Sequence, residues 1–337
     1  MTFIIILIVL ALLFDFLNGM NDAANAIATV VSTHVLSPRF AVIWAAFFNF
    51  VAALGFGFAV ATTIGKGIVD PAIVTRTLIL STLIGAIIWT HICTQLGLPI
   101  SVSHALVGGL VGSTLVKAGT APLIISGINK VVLFIFLSPA IGLVISFIMM
   151  ILVNWLFRNW PNNRVDRVFR IGQLISSAFY SLGHGSNDAQ KTMGIIVVLL
   201  FTSNADLPSW MYDKTQGYYF PNWVVLIAYS SISLGTLMGG WKVIRTMGVK
   251  LTHLKPMGGF CAEAGGSIVL LGATCLGIPV STTHTIAGAI MGVGATRRLS
   301  AVRWGIAGKI VAAWIFTVPA TALVAGIVYG LISLLTS

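Results

Sequence analysis

Charge is what this chain has least of. Asp, Glu, Lys and Arg make up 8% of its 337 residues, against about a quarter in a soluble domain. With 57% hydrophobic residues and a mean hydropathy of +1.00, that scarcity excludes an ordinary soluble protein. Cysteine is scarce too: Cys93, Cys261 and Cys275 stand in apolar context without paired spacing, so neither a disulfide framework nor a zinc centre is indicated. No HExxH pattern and no nucleophile elbow occurs. The long apolar runs also lack the polar–apolar alternation of barrel strands.

What is present are apolar runs such as 40–62, 130–157 and 304–335. Each is long enough for a helix to cross about 30 Å of hydrocarbon, which takes roughly 20 residues. Lipid admits only helices and closed barrels, so the expectation is an all-α integral membrane protein. The net charge of +11 does not point to nucleic acid, because the basic residues sit in short loops between apolar runs, where membrane topology is written. The opening "MTFIIILIVL" has no positive charge before its apolar core and reads as a retained first span rather than a cleaved leader. Cutting at Ala24-Asn25-Ala26 would also sever a motif that recurs later in the chain.

That recurrence is the clearest signal in the sequence. "GMNDAANA" (19–26) aligns with "GSNDAQKT" (185–192), placing Asp22 over Asp188 and Asn25 over Lys191. "LGLPISVSHALVGGLVG" (96–112) aligns with "LGIPVSTTHTIAGAIMG" (276–292), matching Ser101 with Ser281 and His104 with His284. The chain therefore reads as a duplication: a first repeat over 1–157, a basic cytoplasmic linker over 158–170 and a second repeat over 171–337. The segments after each LGxPxS, 103–117 and 283–295, are too short to cross comfortably at 1.5 Å per residue. They are read as arms of two re-entrant helical hairpins, about 77–117 and 257–296, with broken helices at the midplane. Three or five spans per half is an odd number, so the repeats should be inverted. With both termini outside, twelve basic residues fall in inner loops (Arg39, the linker arginines, 242–255 and 297–303). Five fall outside (Lys66, Arg76, Lys117, Lys130 and Lys214).

Inverted repeats with broken midplane helices are a transporter architecture. At each tip a proline ends one helix and a serine caps the next, so a helix begins inside the membrane with unused N–H groups and partial positive charge. With the hydroxyls of Ser101, Ser103, Ser281, Thr282 and Thr283, two such starts suit a tetrahedral oxyanion. Asp22 and Asp188 are costly at that depth and so are functional candidates, with Asn25 and Lys191 three residues on along the same helix faces. Carboxylate, amide and hydroxyl oxygens suit a hard cation, and Glu263 is a candidate third ligand. Asp15, His104 and His284 are left without an assigned role. At about 6 Å and an effective dielectric near 20, each pair of like unit charges costs about 3 kcal/mol. An anion between two ionised aspartates therefore needs cations beside it.

At these residues the sequence resembles the inorganic phosphate transporter (PiT) family, whose hallmarks are the paired ND motifs and the duplicated LGxPxSxxH hairpins. The resemblance covers nearly the whole chain; Met20 and Ser186 stand where that family usually has alanine. It implies a cell-membrane, multi-pass secondary transporter, with no enzymatic activity and no cofactor. Inorganic phosphate would move inward with a cation, sodium or protons, by alternating access. By motif, Asp22, Asn25 and Asp188 would serve the cation; Glu263, which has no acidic counterpart in the other half, is added as a candidate sodium ligand from its chemistry alone. Ser101, Ser103, Gln190, Lys191, Ser281, Thr282 and Thr283 would serve phosphate. The wealth of amides and hydroxyls around the carboxylates favours sodium over protons. The competing readings are a proton-coupled symporter, an anion channel built from the same hairpins, and an intramembrane enzyme pairing Ser103 or Ser281 with His and Asp. Adjacent Ser-His pairs on one helix, pointing in different directions, make the last a poor fit. A homodimer in the lipid bilayer is compatible with the sequence.

Overall fold

The computed structural model describes residues 1–55, 57–203 and 207–336. Among them the only regular structure besides one isolated bridge, Val69 with Leu123, is helical. The side chain of Lys214, one of the five outer basic residues expected above, lies outside those described.

The first half runs α1 (Thr2–Ser32), a broken pair α2 (Pro38–Val51) and α3 (Ala59–Lys66), a hairpin α4 (Arg76–Leu96) and α5 (Val102–Ala118), then α6 (Ile125–Leu156). The second half repeats the series. It has α7 (Asn162–Thr202), a broken pair α8 (Asn222–Met238) and α9 (Trp241–Arg245, continued as a π-helix over Thr246–Lys250), a hairpin α10 (Pro256–Cys275) and α11 (Thr282–Ala295), and α12 (Trp304–Thr336). The paired helices of the two hairpins run over 76–118 and 256–295. Among the described residues five helices, α1, α4, α6, α10 and α12, are long and apolar enough to cross a membrane, and up to seven spans result if each broken pair counts as one. α7 is 41 residues long, about 60 Å at 1.5 Å per residue, and carries the second ND motif near its middle.

Two expectations need correction. The run 40–62 is not one continuous helix: it stops at Leu54 and restarts at Ala59, across Gly55 and Gly57, which give a helix neither side-chain packing nor backbone restraint. Its counterpart breaks at Gly239, whose φ of +66° ends α8, and the next segment leaves at 64°. The stretch 158–170 is mostly not a connection either. Pro161 starts α7, so Asn162–Arg170 are its first turns.

α1 and α7 form the core. Residues 21–30 and 183–200 are buried all round, whereas α6 and α12 show large apolar side chains on their outer faces, among them Phe136, Leu152, Phe316 and Leu323. The two core helices run antiparallel. Thr192 on α7 donates to Asp15 near one end of the contact, and Thr33 donates to Gln173 at the other. Each hairpin seats against the closing helix of the other half, α5 on α12 and α11 on α6, in the two most extensive helix contacts of the fold. Glycines permit this approach: a Cβ on Gly112 would fall 2.0 Å from the Ala322 carbonyl oxygen, and one on Gly292 would fall 2.2 Å from that of Leu143.

Candidate functional site

The hairpin tips are built alike and meet. Gly97 and Gly277, at φ +69° and +66°, turn the chain out of the first arm. The serine two residues past each proline caps the second arm. Ser101 Oγ accepts from the His104 amide at 3.3 Å, and Ser281 Oγ accepts from that of His284 at 3.2 Å. Thr283 Oγ1 reaches the Ile100 carbonyl of the opposite tip at 2.9 Å, and the Trp314 indole holds the Pro99 carbonyl at 3.0 Å. Behind the tips the rings of His104 and His284 lie edge to face with centroids 4.8 Å apart. Each second arm thus starts its first turn, with amides the helix itself cannot use, at one shared point.

α1 and α7 bring their motifs to that point. Thr282 Oγ1 stands 3.2 Å from Asp22 Oδ2 and 3.3 Å from Asp188 Oδ2, and Thr283 Oγ1 stands 3.2 Å from Asp22 Oδ1. Asn25 Nδ2 donates to both hydroxyls, at 3.2 and 2.9 Å. Lys191 pairs with Asp188 and donates to Ser103 on one hairpin and to the Val280 carbonyl, at 3.0 Å, on the other. Tyr180 supports the second tip through the Thr282 carbonyl at 2.8 Å. Asp22, Asn25, Asp188, Lys191, Ser103, Thr282 and Thr283 thus form one cluster, with Ser101 and Ser281 at its edge as caps.

Two of the expected residues lie elsewhere. Gln190 Oε1 accepts from the amides of Val60 and Ala61, at 3.0 and 3.2 Å, and so caps α3. Glu263 sits in a separate polar group: Thr29 and Ser176 each donate to it at 2.5 Å, and Gln173 donates at 3.1 Å. Sequence reasoning missed His184. One turn before Asp188 on α7, its Nε2 stands 3.5 Å from Asp188 Oδ2 while Nδ1 faces Asn49 at 3.1 Å. Ligand atoms of Asp22, His184 and Asp188 all lie within 4.8 Å of one another. The i, i+4 spacing of His184 and Asp188 was the available signal.

Buried carboxyl groups outnumber buried cationic side chains in this region. Asp15, Asp22, Asp188 and Glu263 are buried, and among the described residues Lys191 is the one buried lysine or arginine. Hydrogen bonding does not make up the difference. Thr282 and Thr283 have one hydroxyl proton each, shared among three carboxylate oxygens and the Ile100 carbonyl. The amide oxygens of Asn18, Asn21, Asn25 and Asn187 and one oxygen of Asp15 are buried without a hydrogen-bond partner. Carboxylate, hydroxyl and amide oxygens short of positive charge are the donor set of a hard monovalent or divalent cation.

The model of a family described as "Phosphate transporter family" matches residues 18–325. A Rhizobium meliloti protein described as a "probable low-affinity inorganic phosphate transporter" is 55% identical over 328 residues, covering 96% of this chain and 94% of its own length. A Bacillus subtilis protein of the same description is 40% identical, covering 98% and 97%. A solved structure described as "The sodium-dependent phosphate transporter" superposes with a TM-score of 0.88 at 29% identity, over 99% of this chain and 100% of the other.

Proposed function

This chain belongs to the phosphate transporter family, and from that premise we propose that it moves inorganic phosphate inward with sodium, by alternating exposure of the site between the hairpin tips. Its relatives are described as transporters, not enzymes. The observation that carries the reading is the excess of buried carboxylate over buried cation, set beside two helix starts. An anion entering there meets Asp22 unneutralised, and each such repulsion costs about 3 kcal/mol at 6 Å and an effective dielectric near 20. Sodium on Asp22 and on Asn25 removes that cost, so sodium raises phosphate affinity, and phosphate raises sodium affinity by the same factor.

Lys191 adds a second route to the coupling. It is paired with Asp188 and bonded to both hairpins. A second sodium taking over Asp188 leaves the ammonium free to face phosphate beside Ser103, Thr282 and Thr283. Glu263, with Thr29, Ser176 and Gln173, supplies a further cation position two turns along α1 from Asp22. The halves α1–α6 and α7–α12 are inverted repeats across the bilayer, a reading supported by the antiparallel core helices. Both termini lie outside, so that twelve of the basic residues counted above lie inside and five outside. Hydrogen phosphate also donates a hydrogen bond to a carboxylate, which sulfate cannot do, and leaving a buried acceptor unpaired costs about 1–3 kcal/mol.

The test is uptake of labelled phosphate by purified protein in vesicles, with sodium and pH gradients imposed separately. Saturable uptake driven by sodium alone supports the reading. Uptake driven by the pH gradient and indifferent to sodium replaces it with proton coupling. Unsaturable flux without coupling makes the protein a channel.

A further inference from the structure

Each half sets one threonine of its broken helix on the turn of the other half's hairpin. Thr63 on α3 donates to the Gly277 carbonyl at 2.8 Å. Thr246, on the continuation of α9, donates to the Gly97 carbonyl at 2.9 Å. Each hydroxyl also lies 3.1 Å from the carbonyl four residues back, of Ala59 or of Lys242. Those two residues close the contact from the other side: a Cβ on Gly277 would stand 3.1 Å from Ala59 Cβ, and one on Gly97 would stand 3.1 Å from Lys242 Cβ. The arrangements match residue for residue. They sit at opposite ends of the antiparallel core. α3 approaches α7 at Gly194, beyond Asp188, and the α9 continuation approaches α1 at Ala28, beyond Asp22.

The two attachments are held differently. The first amides of α3 are capped by Gln190, the neighbour of Lys191 on the site helix. In the first ND motif Ala24 occupies the matching place and has no group to cap with. Conversely, Lys242 Nζ donates to the Gln95 carbonyl at 2.9 Å, where the matching Ala59 has no donor. One attachment is therefore tied to the helix that carries the site, and the other to the hairpin it restrains.

We propose that Thr63 and Thr246 are positioning residues, the two latches of the transport cycle: Thr63 releases Gly277 when the site opens at the α3 end, and Thr246 releases Gly97 when it opens at the α9 end. Gln190 ties the first latch to the state of the site. The proposal rests on the transport reading above. A turn carbonyl inside a membrane protein keeps a donor at all times. Each latch therefore parts only where water arrives to take the place of the threonine, which makes opening one-sided. Neither threonine bonds to Asp22, Asp188 or Lys191, so the latches act on access and not on the ions directly.

Cys93 is the reporter. It is 2% exposed and lies one turn before Gly97. In purified protein with Cys261 and Cys275 replaced by alanine, a bulky polar maleimide reads the opening of the α9 end through Cys93. Thr246→Val keeps the shape and removes the hydroxyl, and it should raise the labelling rate about two- to tenfold, the worth of one hydrogen bond. Thr63→Val should lower the rate by a similar factor, and serine at either position should restore it. Equal rates in both valine variants, or shifts in the same direction, overturn the proposal, as does a shift that serine leaves in place. Absence of phosphate uptake by the unsubstituted protein would defeat the transport reading alone, because labelling would still decide the latches.

Discussion

Asp22 and Lys191 carry opposite consequences. Asp22→Asn removes the carboxylate that Lys191 does not neutralise while keeping its size. It is expected to weaken the sodium dependence of uptake at least tenfold while expression and thermal stability hold; uptake titrated against sodium measures this. Lys191→Met should instead leave Asp188 buried without its partner, at a cost of about 3–5 kcal/mol. Thermal unfolding should show that loss, and sodium should recover part of it by occupying Asp188. At this scale much was legible in the sequence. Asp22 and Asn25, three apart on one helix face, and the Pro-x-Ser caps at 101 and 281 follow from spacing alone, and the structure places them as spacing requires. His184 was not legible through the repeat, because its counterpart is Asn18 and the pattern shows only what recurs. The cap that Gln190 places on α3 joins residues 130 positions apart and has no local signature.

Among the elements, the hairpins stand out because their second arms are held by glycine contact with a helix of the other half. A methyl at Gly292 would meet the Leu143 carbonyl at 2.2 Å, so Gly292→Ala must push α11 off α6. The expected outcome is about 1–3 kcal/mol of overpacking, seen as a lower unfolding temperature together with slower phosphate uptake. A control at Gly272, where a Cβ meets nothing within 4 Å, should change neither. The hairpins were readable because proline and serine punctuate apolar sequence at fixed intervals. The break between Leu54 and Ala59 was not, since hydropathy registers apolar character but not direction, and a bent helix is as apolar as a straight one. The start of α7 at Asn162 was hidden for a related reason: a charged run looks like a loop unless its helical periodicity is weighed.

For the whole molecule, the excess of buried carboxyl groups makes folding and ion binding one equilibrium. Sodium should raise the unfolding temperature, phosphate should raise it further, and phosphate without sodium should do little. A ligand at a hundred times its dissociation constant stabilises by about 2.7 kcal/mol. Potassium substitution in the same melting experiment is the control, and equal protection by phosphate with and without sodium would contradict the coupling. The all-helical membrane character and the two-part design were visible in composition and repeats. How the parts interlock was not, because repeats reveal likeness and not contact.

That interlocking bears on how the protein is made. The seat of α5 is α12, which begins at Trp304, nearly two hundred residues later in synthesis. Until the ribosome has delivered the last helix, the first hairpin has no permanent partner and must wait in the bilayer or the translocon with its glycine face unfilled. Neither half should therefore mature alone. Two polypeptides divided at the short turn before Asn162 should each be degraded when expressed singly and should rescue one another when expressed together.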